Sequence, residues 1–425
     1  MRLRTSLRSS SALWALPFVI ALTVLYYVIF TRIVIDDSTY GYAPALVSSA
    51  LRPIYAFTYA TAACLGAWEA GRLRQAAVWD LAPARSRFRI AAPALAPVLG
   101  VVWLMLLLPV TVALVRNASL PTAASLSPLA MGLSVSAAYT VIGFAVGQLL
   151  RPLFAAPLTA LGVYLLVGFS ASTDSFWVRH ILGQYPEMMT YGEQIVLSTL
   201  IPHLLPACGV ALALALLWTS WGHCTLRSVV ACVLVAATTG SAYHWVKDWN
   251  YNPPISTGNV AWSCQGESPK ICMPADTASR LPAVRRDVTA ALTALESADI
   301  IAAPRTVVDS IADGRYGRRS TDNTWRIPLT EGADHGRITY LITRAAVRYP
   351  CAEPDTTIAR QVYYWAATKT GTEDAYIQRL ETEGDFTGHK RKRLQSQVGE
   401  VLALSRTAQN DWYEQNLAAA CARQA

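Results

Sequence analysis

Cys264, Cys272, Cys351 and Cys421 stand in the polar last part of the chain, while Cys64, Cys208, Cys224 and Cys232 fall in or beside apolar runs, where a thiol acts as a small apolar side chain. An even set of four suits two disulfides in an oxidising compartment, with three pairings open. Cys264 with Cys272 and Cys351 with Cys421 is the favoured set, the first stapling a short loop and the second tying the last helix to its domain, each worth about 2–4 kcal/mol. A metal site is the rival chemistry, but no C-x-x-C and no histidine at ligand spacing accompanies these cysteines.

The other chemistry-bearing candidates are sparse. His389-Lys390-Arg391-Lys392-Arg393 is the strongest local run of charge, and Lys390, Arg391, Lys392 and Arg393 are candidate anion-binding residues, set against a plainly solvated helix start. Their place near a helix N-terminus is electrostatically unhelpful to the helix. His203, between Pro202 and Pro206, is an ionisable side chain within an apolar run, and a packed or backbone-bonded histidine is preferred there over a proton or substrate role. Glu69 and His244 lie at the ends of such runs. The chain has no G-x-x-x-x-G-K-[ST], no Gly-rich dinucleotide fingerprint, no H-E-x-x-H and no G-x-S-x-G, since Gly168-Phe169-Ser170-Ala171-Ser172 lacks the last glycine. The expectation is therefore no enzymatic activity, no catalytic or metal-ligating residue and no cofactor. Asn117-Ala118-Ser119 is a sequon of the kind that arises by chance.

The elements that hold these residues divide the chain in two. Seven apolar stretches fill residues 1–246: Ala12 to Phe30, Ile54 to Trp68, Ile90 to Val115, Leu129 to Leu150, Leu153 to Phe169, Val196 to Thr219 and Ser228 to Val246. About 20 apolar residues in helical form cross a bilayer core roughly 30 Å thick, so each is a candidate span, the second and fifth being short. Residues 1–246 carry 14 Lys or Arg against 7 Asp or Glu, and the rest carry 22 against 21, so the formal charge of +8 sits almost wholly in the membrane part and calls for no nucleic acid. Arg2, Arg4 and Arg8 precede the first span, and Arg72, Arg74, Arg85, Arg87 and Arg89 lie between the second and third. Placing both groups in the cytoplasm, with alternation thereafter, puts Arg151 and Arg227 inside and Arg32, Arg52, Arg116 and Arg179 outside. Seven crossings then carry the C-terminal part out of the cytoplasm. A cleaved signal peptide is the competing reading of the first run, which is too long and lacks a small-x-small site near Phe30; an uncleaved signal anchor is expected.

Between the second and third spans, residues Trp68 to Asp80 can form a short amphipathic helix before Pro83, basic enough to meet anionic lipid or a cytoplasmic partner. Ser170 to Gln194 is expected to form short helices at the outer surface. Gly143 and Gly147 make a G-x-x-x-G step, which suits internal packing as well as dimerisation. Trp218, Trp221, His223 and Arg227 on one side, and Trp245, Trp249 and Tyr251 on the other, read as interfacial belts. Residues 247–260 are a linker, Pro-rich and extended over Asn252 to Thr257, and residues 261–425 are an extracytoplasmic domain. That domain is expected to be mainly α, with a possible α+β character: helices over Leu281 to Ala298, Ile338 to Arg348, Ile358 to Ala367 and Arg391 to Tyr413, and short strands over Arg305 to Ile311 and Thr324 to Pro328. The fold class expected is thus an α-helical polytopic membrane protein of about seven transmembrane helices with a mainly α exported C-terminal domain.

A short outside loop after span one, a basic helical loop after span two and a helical outer loop after span five form an order that resembles the permease subunits of type-2 ABC exporters. Ala67-Trp68-Glu69-Ala70, Arg72-Leu73-Arg74, Cys264-Gln265-Gly266 and Ile271-Cys272-Met273-Pro274 also resemble actinobacterial permease-like membrane proteins. The resemblance covers roughly residues 1–300. It implies that the cytoplasmic loop from Glu69 to Arg87 carries the coupling helix that docks a separate ATP-binding subunit, with Glu69, Arg72, Arg74, Trp79, Arg85 and Arg87 as candidate docking residues, and that Ser170 to Gln194 holds the outer helices. It further implies a homo- or heterodimer with a second permease in a bacterial cell membrane, in contact with membrane lipid. The chain departs from that pattern in three ways: little room for an amphipathic helix before span one, a seventh span, and the large exported domain. These departures support the alternative of a non-transporting sensor or immunity protein whose exported domain binds an envelope ligand.

Overall fold

Six helices in the first half of the chain are long and apolar enough to cross a membrane, which makes this a multi-pass membrane protein. The computed structural model describes residues 10–34, 39–81, 86–185, 187–219, 223–382, 384 and 386–422. The chain divides into two units, Met1–Thr257 and Gly258–Ala425.

The first unit is a helical bundle. Its helices are α1 (Ser11–Val34), α2 (Ala43–Leu51), α3 (Tyr55–Gln75), α4 (Val78–Leu81), α5 (Arg87–Arg116), α6 (Ala123–Leu149), α7 (Pro152–Ser170), α8 (Phe176–Ile181), α9 (Leu197–Leu217) and α10 (Cys224–Val246). The six apolar helices are α1, α5, α6, α7, α9 and α10. The expected second span, Ile54 to Trp68, is α3: at 21 residues it reaches about 31 Å, but it carries Glu69, Arg72 and Arg74 and is not among the six. Its composition follows from its place. Protein helices surround it, so it needs small side chains for close approach more than apolar ones for lipid. Ala63 and Ala67 meet Gly143 and Gly147 of α6 so closely that a Cβ on either glycine would lie 2.0 or 2.2 Å from a carbonyl oxygen of α3. The G-x-x-x-G step is thus spent on an internal seam. Gly71 of α3 lies equally close to the Pro152 ring at the start of α7.

The loop before α3 holds an unanticipated element, α2, buried along nearly its whole length. Thr122 and Ser125 form a reciprocal capping box that starts α6, and the Ser86 side chain accepts from the Arg89 amide to start α5. Two-residue strands β1 (Gln194–Ile195) and β2 (Ile255–Ser256) pair antiparallel, so part of the expected extended linker is hydrogen-bonded to the segment before α9.

The second unit is α+β. A four-stranded sheet runs in the order β3 (Trp262–Gln265), β4 (Lys270–Pro274), β5 (Thr306–Asp309) and β6 (Thr324–Ile327). β3 is antiparallel to β4, while β4, β5 and β6 are parallel. The crossover from β4 to β5 is α11 (Leu281–Ser297), whose Val284, Val288, Ala291 and Leu295 fall on one buried face as a 3.6-residue period requires. Helices α12 (Leu329–Asp334), α13 (Ile338–Ala346), α14 (Thr356–Lys369), α15 (Glu373–Thr382), α16 (Gly388–Leu402) and α17 (Arg406–Ala419) complete it. One core joins Ile271, Val307 and Trp325 of the sheet to Val288, Ile342, Trp365 and Val398 of the helices.

The expected helix over Arg391 to Tyr413 is two helices. Ser405 accepts from the Ala408 amide to cap α17, and Gln409 Nε2 donates to the Leu402 and Leu404 carbonyls left open at the end of α16. Cys264–Cys272 and Cys351–Cys421 are disulfide-bonded, the pairing favoured from the sequence. The first closes the short β3–β4 hairpin, where Cys264 and Cys272 stand directly opposite each other. The second fastens the chain before α14 to the end of α17.

Candidate functional site

The residues around the end of α3 form a clamp on the helices beside it. Glu69 is fully buried, and its Oε1 accepts from the Ser11 amide at 2.8 Å, Ser11 Oγ at 2.6 Å and Ser10 Oγ at 3.3 Å. These donors stand at the first turn of α1, so the carboxylate caps that helix and complements its positive end. Arg72 Nη2, one helical turn along, lies 2.6 Å from Glu69 Oε2. This ion pair keeps the buried carboxylate from being left uncompensated.

Arg74 works on a different helix. Its Nη1 donates to the Gln148 carbonyl at 2.9 Å and its Nη2 to the Leu150 carbonyl at 2.7 Å, closing the C-terminus of α6 with a cation. Trp79, on α4, meets Trp218 just past α9 edge to face at 5.7 Å, and Trp218 in turn contacts Phe144 of α6 and Phe88 of α5. Ala70, Ala91, Leu95 and Phe144 form the small core beneath them. The α3–α4 segment is therefore attached to α1, α5, α6 and the end of α9. Of the six candidate docking residues, Glu69, Arg72, Arg74 and Trp79 make these internal contacts, Arg87 is exposed in the first turn of α5, and Arg85 lies outside the described residues. Gln75, Ala76, Ala77, Asp80 and Arg89 are exposed around them.

A second knot joins α8, α9 and the chain after α10, with few partners in sequence reach of one another. Arg179 is 1 % exposed; its Nη1 donates to the Tyr251 carbonyl at 3.2 Å, its Nη2 donates to the Ala171 carbonyl, and its guanidinium lies 3.7 Å over the Tyr251 ring. His180 Nε2 is 3.0 Å from the Asn250 carbonyl, and its ring packs on Trp249 at 5.2 Å and His203 at 6.1 Å. Burial holds His180 below its ordinary range; the Asn250 carbonyl works the other way, and Arg179 adds to the lowering. His203 is fully buried, with neither ring nitrogen hydrogen-bonded among the described residues. Within α8, Ile181 packs against Ala242 and Val246 of α10, while Arg179 and His180 are buried against the chain after α10.

The basic run is divided by the turn of its own helix. Lys390 and Arg393 face a groove shared with Arg360 of α14, whereas Arg391 pairs with Glu381 of α15 at 3.2 Å and Lys392 is exposed elsewhere. Arg360 carried no signal in the sequence, since it belongs to no cluster. Among the described residues, no group of three His, Cys, Asp or Glu is placed to hold a metal ion.

A family model described as a domain of unknown function (DUF7224) matches residues 271–421, about a third of the chain and nearly all of the second unit. No curated protein and no solved structure matches the chain.

Proposed function

We propose that the chain is the permease-like, membrane-spanning subunit of a bacterial ABC exporter, moving cargo with a separately encoded ATP-binding subunit and a second permease as dimer partner. The clamp at the end of α3 carries the reading. The end of α3 is bonded to α1 and α6, and Trp79 of α4 meets Trp218, which in turn touches α5 and α6 beside the end of α9, so a push at α4 is carried to those helices through one continuous segment. Glu69, Arg72, Arg74 and Trp79 are the segment's inner attachments. The docking face is the exposed strip of Gln75, Ala76, Ala77, Asp80, Arg87 and Arg89. The chain itself has no phosphate-binding loop, so ATP hydrolysis belongs to the partner. The N-terminus is cytoplasmic, α3 serves as the seventh crossing, and the second unit lies outside the cytoplasm. Basic-residue placement and two disulfides, which persist in oxidising compartments, support this orientation.

Affinity purification of the detergent-solubilised full-length protein from its own host tests the proposal. A subunit bearing G-x-x-x-x-G-K-[ST] is expected to co-elute, and to be lost from the double variant Arg87→Glu and Arg89→Glu while the melting temperature is unchanged. A lone protein, with no such subunit recovered after mild solubilisation or cross-linking, would overturn it. The groove at Arg360, Lys390 and Arg393 favours a second reading, a non-transporting sensor of an envelope ligand.

A further inference from the structure

Helical spacing brings two short rows of side chains together in the second unit. Lys390, Arg393 and Gln397 recur at i, i+3 and i+7 on α16, and Arg360 and Gln361 stand opposite on α14. Between them is an open groove of about 400 Å³, with Phe386 and Leu394 as its apolar wall. Three cations therefore face one space. No carboxylate lines it among the described residues, and neither Arg360 nor Arg393 makes an ion pair among them. Gln361 Nε2 donates to Gln397 Oε1 at 3.0 Å, which leaves the Gln397 NH2 without a partner among the described residues.

Arg360 and Arg393 face the same space, so one anion placed in it meets both guanidinium groups. A lone chloride would neutralise only one of them. A phosphate group offers two negative charges and three oxygens, and guanidinium forks match its geometry. The apolar wall beside the cations suits an organic remainder, and the amide beside them suits hydroxyl groups on it.

We propose that the groove between α14 and α16 binds an organic phosphate, with Arg360, Lys390 and Arg393 holding the phosphate group and Phe386 contacting the organic part. The assignment goes beyond the exporter reading and holds whether or not an ATP-binding subunit docks at α4. It also gives the basic run a division of labour: positions 390 and 393 recognise, and positions 391 and 392 do not.

Full-length protein in an uncharged detergent, titrated at constant ionic strength with inorganic phosphate, glycerol 1-phosphate and dihexanoyl phosphatidic acid, provides the test. Saturable binding of at least one probe is expected, weakened about tenfold by Arg360→Gln or Arg393→Gln, as for one charge-assisted contact, and less than about twofold by Arg391→Gln or Lys392→Gln. Tighter binding of the lipid than of glycerol 1-phosphate would assign a membrane headgroup as the source, and equal binding a free phosphate monoester. All four variants carry the same charge change at solvent-facing positions, so unchanged melting without ligand shows each to be folded. Equal weakening by all four would reduce the effect to net charge and overturn the site, as would failure of every probe to saturate by about 10 mM.

Discussion

Replacing Gly143 by alanine adds one methyl group at the tightest point of the α3–α6 seam. Its Cβ would stand 2.0 Å from the Ala63 carbonyl oxygen and 2.6 Å from the Ala63 Cα. The obstacle is helical backbone, which cannot swing aside like a side chain, so the two helices must part by roughly 1 Å to restore contact distance. Gly66 and Gly147 lie on the same seam, where an added Cβ would stand 2.4 and 2.2 Å from the carbonyl oxygens they face, so the parting loosens three close approaches together. Overpacking of this kind costs about 1–3 kcal/mol, offset in part by the gain of up to about 1 kcal/mol that alanine has over glycine within a helix. Gly162, in α7, has nothing within 4 Å of its Cβ position, so Gly162→Ala keeps that gain without the clash. The two variants are therefore expected to lie about 1–3 kcal/mol apart, read as melting temperature in detergent from the fluorescence of the 13 tryptophans. Oligomeric state on a sizing column should be the same for both. A Gly143→Ala protein as stable as Gly162→Ala, or one whose oligomeric state alone changes, would refute the internal assignment of the G-x-x-x-G step.

Glu69→Ala should destabilise the bundle by about 2–4 kcal/mol, since it strips the cap from α1 and leaves Arg72 without its partner, while Arg74→Ala should cost about 1–2 kcal/mol at the end of α6; equal melting temperatures for wild type and Glu69→Ala would discard the clamp. Cys351→Ser should lower the melting temperature more than Cys264→Ser, because the bridges close separations of 70 and 8 residues, worth about 4 and 2.5 kcal/mol in the chain-entropy account; the reverse order would contradict it. Burial pushes the Asp309 carboxyl up to about 6 from its ordinary 3.8, against hydrogen bonds from Thr330 and the amides of Ile311 and Leu329. Between those values the folded chain holds more protons than the unfolded one, so this group's contribution falls as pH rises from about 4 to 6, by about 3 kcal/mol at most, and is level above. The difference in melting temperature between wild type and Asp309→Asn should therefore vary across that window, and a constant difference would refute the assignment.

Much of the membrane part was legible because apolar runs as long as α5 and α6 match the thickness of a bilayer core, and a water-soluble fold has little use for them. What escaped is what partner helices decide. The burial of α2 and the lower apolarity of α3 both follow from enclosure by protein, which leaves no periodic mark that a sequence read alone can assign. Glu69 was visible as a charge at a span end, but its partners Ser10 and Ser11 lie 58 or more residues away. Hence the internal contacts of Glu69, Arg72, Arg74 and Trp79 left no mark beside their reading as docking candidates. In the second unit α11 was plain from its spacing, and the strands β5 and β6 from their composition; β3 and β4 were hidden by short length and an exposed edge. The basic run showed where cations gather and could not show that helix geometry sends two of them away and recruits Arg360.

The central claim is that α4 and its exposed surroundings receive an ATP-binding subunit. A photo-crosslinking residue placed at Ala76, and separately at Asp80, in full-length protein within native membranes tests it most directly, with the cross-linked partner identified by mass spectrometry. The account predicts an adduct with a polypeptide that carries G-x-x-x-x-G-K-[ST], absent when the same residue is placed at Leu161 on the outward face of α7. Adducts only with lipid, or with no nucleotide-binding protein at either position, would contradict it.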